Sequence, residues 1–149
     1  MCVDPAVKIY LAAPIRGVRK ALPTVKRLAD VITGSGCELL TPQVVDETVD
    51  VDRGLKPEEV YERDVQLLEE ADMLVAEISY PSLGVGFEIA YGLLKGKYVI
   101  AMCEEERVNF TSVLIRGIKN PCFRLIIYSS SDDAAKKLQA ELRSMTVTN

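Results

Sequence analysis

Short apolar segments alternate with longer amphipathic segments along this chain, and this alternation restricts the fold more than any other feature. Each apolar segment has the length and composition of a buried strand, and the stretches between them repeat apolar residues with helical spacing. Strands that alternate with helices form a parallel sheet covered on both faces. The predicted strands are Val7–Leu11, Cys37–Leu40, Met73–Ile78, Tyr98–Met102 and Phe123–Tyr128.

The sequence predicts one domain of the α/β class. Its 149 residues suffice for one sizeable core, and no linker or internal repeat divides them. We therefore predict a single domain over residues 1–149, with a five-stranded parallel sheet and helices on both faces, in a flavodoxin-like or Rossmann-like sandwich. In such folds ligands bind at the carboxyl ends of the strands.

Composition removes several classes of function. Apolar residues make up 48% of the chain and charged residues 27%, as in an ordinary soluble domain. The net charge of −4 leaves no basic surface for nucleic acid. No apolar run is long enough to cross a membrane, and no secretion signal is recognisable. We therefore expect a cytoplasmic protein that binds neither nucleic acid nor membrane.

The chain contains no histidine. This absence excludes histidine-dependent nucleophilic catalysis, histidine general bases and histidine-ligated metals. The four cysteines form no Cys-x-x-Cys pair, so a zinc site is not expected either. Any chemistry must therefore use carboxylates, Tyr, Ser, Lys, Arg or backbone amides.

A glycine-rich segment, Pro81–Glu88, follows the third predicted strand and precedes a helix predicted to begin at Ile89. Such a turn offers backbone amides to an anion. The segment ends in the carboxylate of Glu88, however, whose charge does not suit simple phosphate binding. Glu88 is therefore either an ordinary glutamate in the first turn, favoured by the helix dipole, or a residue with a chemical task beside the anion.

A second carboxylate, Asp64, occupies an unfavourable place on the helix predicted over Pro57–Ala71. At about 100° per residue, Asp64 falls near the middle of the apolar face, together with Tyr61 and Leu68. Burial of an unpaired carboxylate is costly. Asp64 is therefore either a structural residue paired with arginine or backbone amides, or a functional acid whose pKa is raised by desolvation.

The third candidate is Tyr10, which ends the first predicted strand at the same edge of the sheet. It either packs on the sheet as a half-buried aromatic residue or donates a hydrogen bond that orients Glu88. Two carboxylates in different environments are the usual apparatus for cleaving a glycosidic bond, because one attacks or stabilises C1′ and the other protonates the leaving group. Glu88, Asp64 and Tyr10 are thus the candidate catalytic residues.

Three segments carry a resemblance to a known family. They are Pro-Ser-Leu-Gly-Val-Gly-Phe-Glu at 81–88, Ser-Val-Leu-Ile-Arg-Gly at 112–117 and Ile-Arg-Gly at 15–17. Together they resemble the nucleoside 2-deoxyribosyltransferase superfamily, and within it most of all the 2′-deoxynucleoside 5′-monophosphate N-hydrolases. The likeness extends over nearly the whole chain.

The resemblance implies a retaining N-glycosidase, in which Glu88 is the nucleophile, Asp64 the general acid and Tyr10 the residue that holds Glu88. It implies that no metal or organic cofactor is needed. It also implies a homodimer in which the neighbouring subunit supplies Ser112. Gln43, in the polar loop at 41–56, is expected to contact the base edge. The other substrate-binding residues expected are Arg16, Gly17, Ser82, Gly84 and Gly86.

Some positions are closer to the transferases of the superfamily than to its hydrolases. These are Pro14 and the segment Lys95–Val99, while Gln43 stands where the hydrolases have a histidine. Three functions therefore remain open. They are hydrolysis of deoxynucleoside monophosphates, base exchange on unphosphorylated deoxynucleosides, and nucleotide binding without catalysis.

Overall fold

A computed structural model describes residues 6–15, 18–47, 52 and 54–147 of the chain. Within these residues, five parallel strands form a sheet in the order β2-β1-β3-β4-β5. This is the strand order of flavodoxin-like sandwiches, and it confirms the predicted α/β class. The strands are β1 (Lys8–Ala12), β2 (Glu38–Leu39), β3 (Met73–Glu77), β4 (Tyr98–Glu104) and β5 (Phe123–Tyr128).

Helices cover both faces of the sheet. Helices α1 and α5 enclose one apolar core and α2 and α3 enclose the other, while alternate residues of β3 point into each. No helix in the described part of the chain is long and apolar enough to cross a membrane. The helices are α1 (Leu22–Gly34), α2 (Pro57–Glu70), α3 (Leu83–Leu94), α4 (Val113–Arg116) and α5 (Ser131–Val147), with 3₁₀ segments at Pro42–Val45 and Glu105–Phe110.

Helix α3 begins at Leu83 rather than at the predicted Ile89. The Oγ atom of Ser82 accepts a hydrogen bond from the backbone N–H of Val85 at 3.3 Å and so caps the helix. Glycine in a helix costs about 1 kcal/mol relative to alanine, but this cap and the burial of Val85 and Ile89 offset that cost. Glu88 consequently lies in the second turn, where the dipole explanation for its presence is weaker.

Close contact between α3 and the sheet depends on Gly92. A Cβ atom at this position would lie 3.2 Å from both Cδ atoms of Leu74 and 3.5 Å from Cγ2 of Val99. Carbon atoms normally approach to about 3.5–4.0 Å, so no side chain fits here without displacement. Gly92 lies one turn after Glu88, and it therefore helps to set how far Glu88 stands from the sheet.

Candidate active site

A small cavity opens between α2, α3 and β1, at the point where the strand order of the sheet reverses. In the sheet, β1 has β2 on one side and β3 on the other, and ligands bind at such switch points. The cavity has a volume of about 20 Å³, and four of the predicted site residues line it. These are Tyr10, Gln43, Asp64 and Glu88, and they are joined by Arg63.

Glu88 is the most strongly perturbed carboxyl group of this cavity. Burial raises its pKa to about 7, and the negative charge of Asp64 acts in the same direction. A hydrogen bond from Tyr10 and the positive charge of Arg63 act against this rise. A carboxyl group with such a pKa titrates close to neutral pH, as groups at functional sites often do.

Tyr10 is the middle residue of β1 rather than its last residue, and only 3% of its surface is exposed. Burial raises the pKa of its phenol far above the ordinary value, and the neighbouring charge of Glu88 adds to this effect. The phenol therefore stays protonated and can donate a hydrogen bond to the Glu88 carboxylate. This placement agrees with the expected role of Tyr10 as the residue that holds Glu88.

Asp64 forms an ion pair with Arg63. The Nε atom of Arg63 donates a hydrogen bond to Oδ1 of Asp64 at 2.9 Å, and Nη2 lies 2.9 Å from the same oxygen. A second contact joins Nη1 of Arg63 to Oδ1 of Asp52 at 2.9 Å. Asp64 thus has the arginine partner expected of a structural aspartate, and it also lines the cavity as expected of a functional one.

Sequence reasoning missed Arg63, because the helical wheel places it on the polar face of α2. The apolar face of α2 is less buried than predicted, since Leu68 is the buried residue of this helix and Tyr61 is 58% exposed. The ring of Tyr61 packs instead near that of Phe87, with centroids 6.4 Å apart. The useful signal was the length of the arginine side chain, which can reach across the helix from a polar position.

A larger apolar cavity of about 520 Å³ lies beside α3, and the predicted substrate-binding residues Ser82, Gly86 and Ser112 line it. Gly84 lies near one residue of each cavity. A Cβ atom on Gly84 would lie 3.8 Å from Oε1 of Glu88 and 3.9 Å from Oγ of Ser82, so the carboxylate and the hydroxyl flank the same glycine. Arg16 and Gly17, also predicted to bind substrate, lie outside the described residues.

Both predicted serines are also helix caps, which the sequence interpretation did not recognise. Ser82 caps α3, and Oγ of Ser112 accepts a hydrogen bond from the backbone N–H of Ile115 at 3.3 Å at the start of α4. A serine hydroxyl that accepts such a bond still has its own O–H to donate. Capping and phosphate binding are therefore compatible at both positions.

A third carboxylate, Glu77, is buried on the opposite face of the sheet and was not singled out from the sequence. It is 1% exposed, and its two oxygens accept hydrogen bonds from the Tyr128 hydroxyl at 2.5 Å and the Ser79 backbone N–H at 2.6 Å. Burial raises its pKa despite these bonds. Glu77 therefore links β3 to β5 through Tyr128. The part of the chain that the structure describes holds no cluster of three potential metal ligands.

Comparisons with known proteins place the chain in a family. A sequence model of the nucleoside 2-deoxyribosyltransferase family matches residues 9–143. A Thermofilum pendens protein, provisionally named 2′-deoxynucleoside 5′-phosphate N-hydrolase 1, is 55% identical over 136 residues, or 91% of this chain and 95% of that protein. The 5-hydroxymethyl-dUMP N-hydrolase of Mus musculus is 31% identical over 113 residues, or 73% of this chain and 64% of that protein.

A solved structure shares the fold. The CMP N-glycosidase BcmB of Clostridium botulinum superposes with a TM-score of 0.65 at 25% identity, over 90% of this chain and 98% of that one. The shared fold agrees with the match to the sequence model, which includes β2 to β5 and all of β1 except its first residue. The chain described here belongs to the nucleoside 2-deoxyribosyltransferase family.

Proposed function

We propose that this protein hydrolyses the N-glycosidic bond of 2′-deoxynucleoside 5′-monophosphates, releasing free base and 2-deoxyribose 5-phosphate. The observation that carries this proposal is the grouping of Glu88, Asp64 and Tyr10 in one cavity, beside a second cavity lined by Ser82. The names of the Thermofilum and mouse relatives and of BcmB support the cleavage of a nucleotide at this bond.

In the proposed mechanism the Glu88 carboxylate attacks C1′ while the bond from C1′ to the base nitrogen breaks. The electron pair of that bond leaves with the base, and Asp64 supplies a proton to it. Water then attacks C1′ of the glycosyl-enzyme and gives a proton to Asp64, while the ester bond to Glu88 breaks, which restores the Glu88 carboxylate and the protonated Asp64. With a pKa of about 7, a substantial fraction of Glu88 is ionised at neutral pH and can act as the nucleophile.

The phosphate of the substrate is proposed to bind at the start of α3. Backbone amides at a helix N-terminus attract anions, and the first turn of α3 contains no acidic residue that would repel one. The Ser82 hydroxyl can add a hydrogen bond there. Because Gly84 lies between Ser82 and Glu88, a phosphate at Ser82 places the sugar of the same nucleotide towards Glu88.

The test is a panel of deoxynucleosides incubated with the protein, each with and without its 5′-phosphate. We expect free base and 2-deoxyribose 5-phosphate from the phosphorylated substrates, and a loss of at least about 10³-fold in kcat for Glu88→Gln. Failure to release base from every substrate would refute the proposed activity. A Glu88→Gln variant that keeps a tenth of wild-type kcat would show that the nucleophile is another residue.

Base exchange on unphosphorylated deoxynucleosides is the second candidate, and the family match to nucleoside 2-deoxyribosyltransferases favours it. Here a free base, rather than water, attacks the glycosyl-enzyme. Addition of a second base distinguishes the two reactions, because a new nucleoside that forms faster than free sugar indicates transfer. Binding of deoxynucleotides without turnover, unchanged in Glu88→Ala, would indicate the third candidate, a non-catalytic binding module.

We further propose that the protein acts as a homodimer and that the partner's copy of Ser112 completes each site. Exposed apolar side chains support this, since Leu83 is 98% exposed, Leu94 88% and Leu114 79%. Leu83 and Leu94 lie on α3 and Leu114 lies on α4, and residues of both helices line the large cavity. Burial of such side chains in an interface is favourable. Leu94→Glu is therefore expected to yield a monomer in sedimentation equilibrium.

A mixing experiment tests whether the sites are shared. The variants Glu88→Gln and Ser112→Ala are each expected to have low activity. If Ser112 acts across the interface, a heterodimer of the two variants contains one site with both native residues, and coexpression restores activity. If Ser112 acts within its own chain, both sites of the heterodimer stay defective and activity stays low.

A further inference from the structure

Arg63 is the only cationic side chain among the described residues that line the small cavity. We propose that Arg63 is a positioning residue, which holds Asp64 towards the leaving base and balances the negative charge of Glu88. This inference rests on the proposed hydrolysis, since it assigns Arg63 a part in that reaction. Arg63 acts through Asp64 and Glu88 and is not itself a catalytic residue.

The geometry of the ion pair supports a role in positioning. Consecutive residues on a helix point about 100° apart and do not ordinarily face each other. Arg63 nevertheless reaches its neighbour Asp64 with two nitrogens, both 2.9 Å from Oδ1. Within the described residues, Oδ2 of Asp64 has no hydrogen-bond or ion-pair partner, so the arginine fixes one oxygen and leaves the other for the leaving base.

Asp52 holds Arg63 from the other side. Its side chain is 8% exposed, and its Oδ1 lies 2.9 Å from Nη1 of Arg63. This carboxylate oxygen is buried and has no well-aligned hydrogen bond among the described residues, so Asp52 holds Arg63 chiefly by charge.

Arg63 also influences Glu88. The titratable groups that face Glu88 are Tyr10 on β1 and Asp64 and Arg63 on α2. The negative charge of Asp64 raises the pKa of Glu88, whereas the positive charge of Arg63 lowers it. Removal of the guanidinium would take a positive charge away from Glu88 and would favour its protonated, unreactive form at neutral pH.

The experiment compares Arg63→Gln, Arg63→Lys and Asp52→Asn with the wild type. Glu62→Gln, an exposed neighbour on the same helix, is the matched control. We expect Arg63→Gln to lower kcat about 10- to 100-fold, as for a catalytic group that is misplaced by up to an ångström. The acidic limb of its pH profile for kcat/KM should move to higher pH, and KM should change little.

The conservative variants separate the two roles. Arg63→Lys keeps the charge but loses the planar fork, so its acidic limb should stay near the wild-type position while kcat remains low. Asp52→Asn should lower kcat with a smaller shift of the limb. If Arg63→Gln unfolds, Arg63→Lys and Asp52→Asn still test the proposal. A kcat equal to that of the wild type in both of these variants would overturn it.

A measurement without substrate separates this inference from the proposed function. The Glu88 carboxyl carbon can be followed by NMR as the pH is changed, in the wild type and in Arg63→Gln. A higher midpoint in the variant supports the charge-balancing role even if no substrate in the panel is cleaved. An active wild type whose Arg63→Gln variant has the same kcat, acidic limb and Glu88 midpoint would overturn the inference.

Discussion

Substitution of Gly92 by alanine tests whether the close approach of α3 to the sheet supports the site. The new Cβ would lie 3.2 Å from two carbons of Leu74, which is fully buried in β3 and cannot move aside easily. Overpacking of this kind costs about 1–3 kcal/mol, while the gain in helix propensity is about 1 kcal/mol. The net expectation is a loss of about 0–2 kcal/mol in the free energy of unfolding.

Gly86→Ala is the control for this prediction, since Gly86 lies in the same helix and a Cβ there meets no atom within 4 Å. Both substitutions gain helix propensity, so the difference between their unfolding free energies, measured in urea, isolates the clash at about 1–3 kcal/mol. We also expect Gly92→Ala to lower kcat about tenfold, because a displaced α3 moves Glu88 away from Tyr10. Equal stability of the two variants would refute the reasoning.

Two further predictions concern hydrogen bonds to carboxylates. Tyr10→Phe removes a bond that lowers the pKa of Glu88, so the acidic limb of kcat/KM should move upward from about pH 7; an unmoved limb would exclude the bond. Tyr128→Phe should reduce unfolding free energy by about 1–3 kcal/mol at pH 8. Burial raises the pKa of Glu77 in the folded state, so ionisation of Glu77 destabilises the fold as the pH rises, and the Tyr128 hydroxyl offsets part of this cost. At pH 4 Glu77 is protonated, so urea titrations should find that Tyr128→Phe causes a smaller loss of unfolding free energy there than at pH 8.

The fold was predictable because it depends on repeated local patterns. Strand β5 has the bounds that the sequence predicts, and α2 begins at the predicted Pro57, whose ring fixes the backbone angle of a first helical residue. The start of α3 was not predictable from glycine content alone. Gly84 and Gly86 suggest a turn, and only the cap at Ser82 and the burial of Val85 make the segment helical.

The site was predictable where a residue conflicts with its surroundings and not where it completes them. Asp64 and Glu88 attract attention because a carboxylate is unexpected on an apolar helix face or after a glycine-rich segment. Arg63 conflicts with nothing on the polar face of α2, so only the tertiary contacts reveal it. Glu77 does conflict with the apolar strand that contains it, but its partner Tyr128 is distant in sequence, so the sequence does not show what Glu77 contacts.

The position of Ser82 has a consequence for how this protein can change. One hydroxyl both begins the helix that carries the proposed nucleophile and faces the cavity where the phosphate is proposed to bind. Alanine at this position would remove both contributions together, so lower activity alone would not reveal which was lost. Asparagine and aspartate can begin a helix as well as serine does, but aspartate would repel an anion. Adaptation to substrates without a phosphate could therefore pass through Ser82→Asp, with the helix start kept intact.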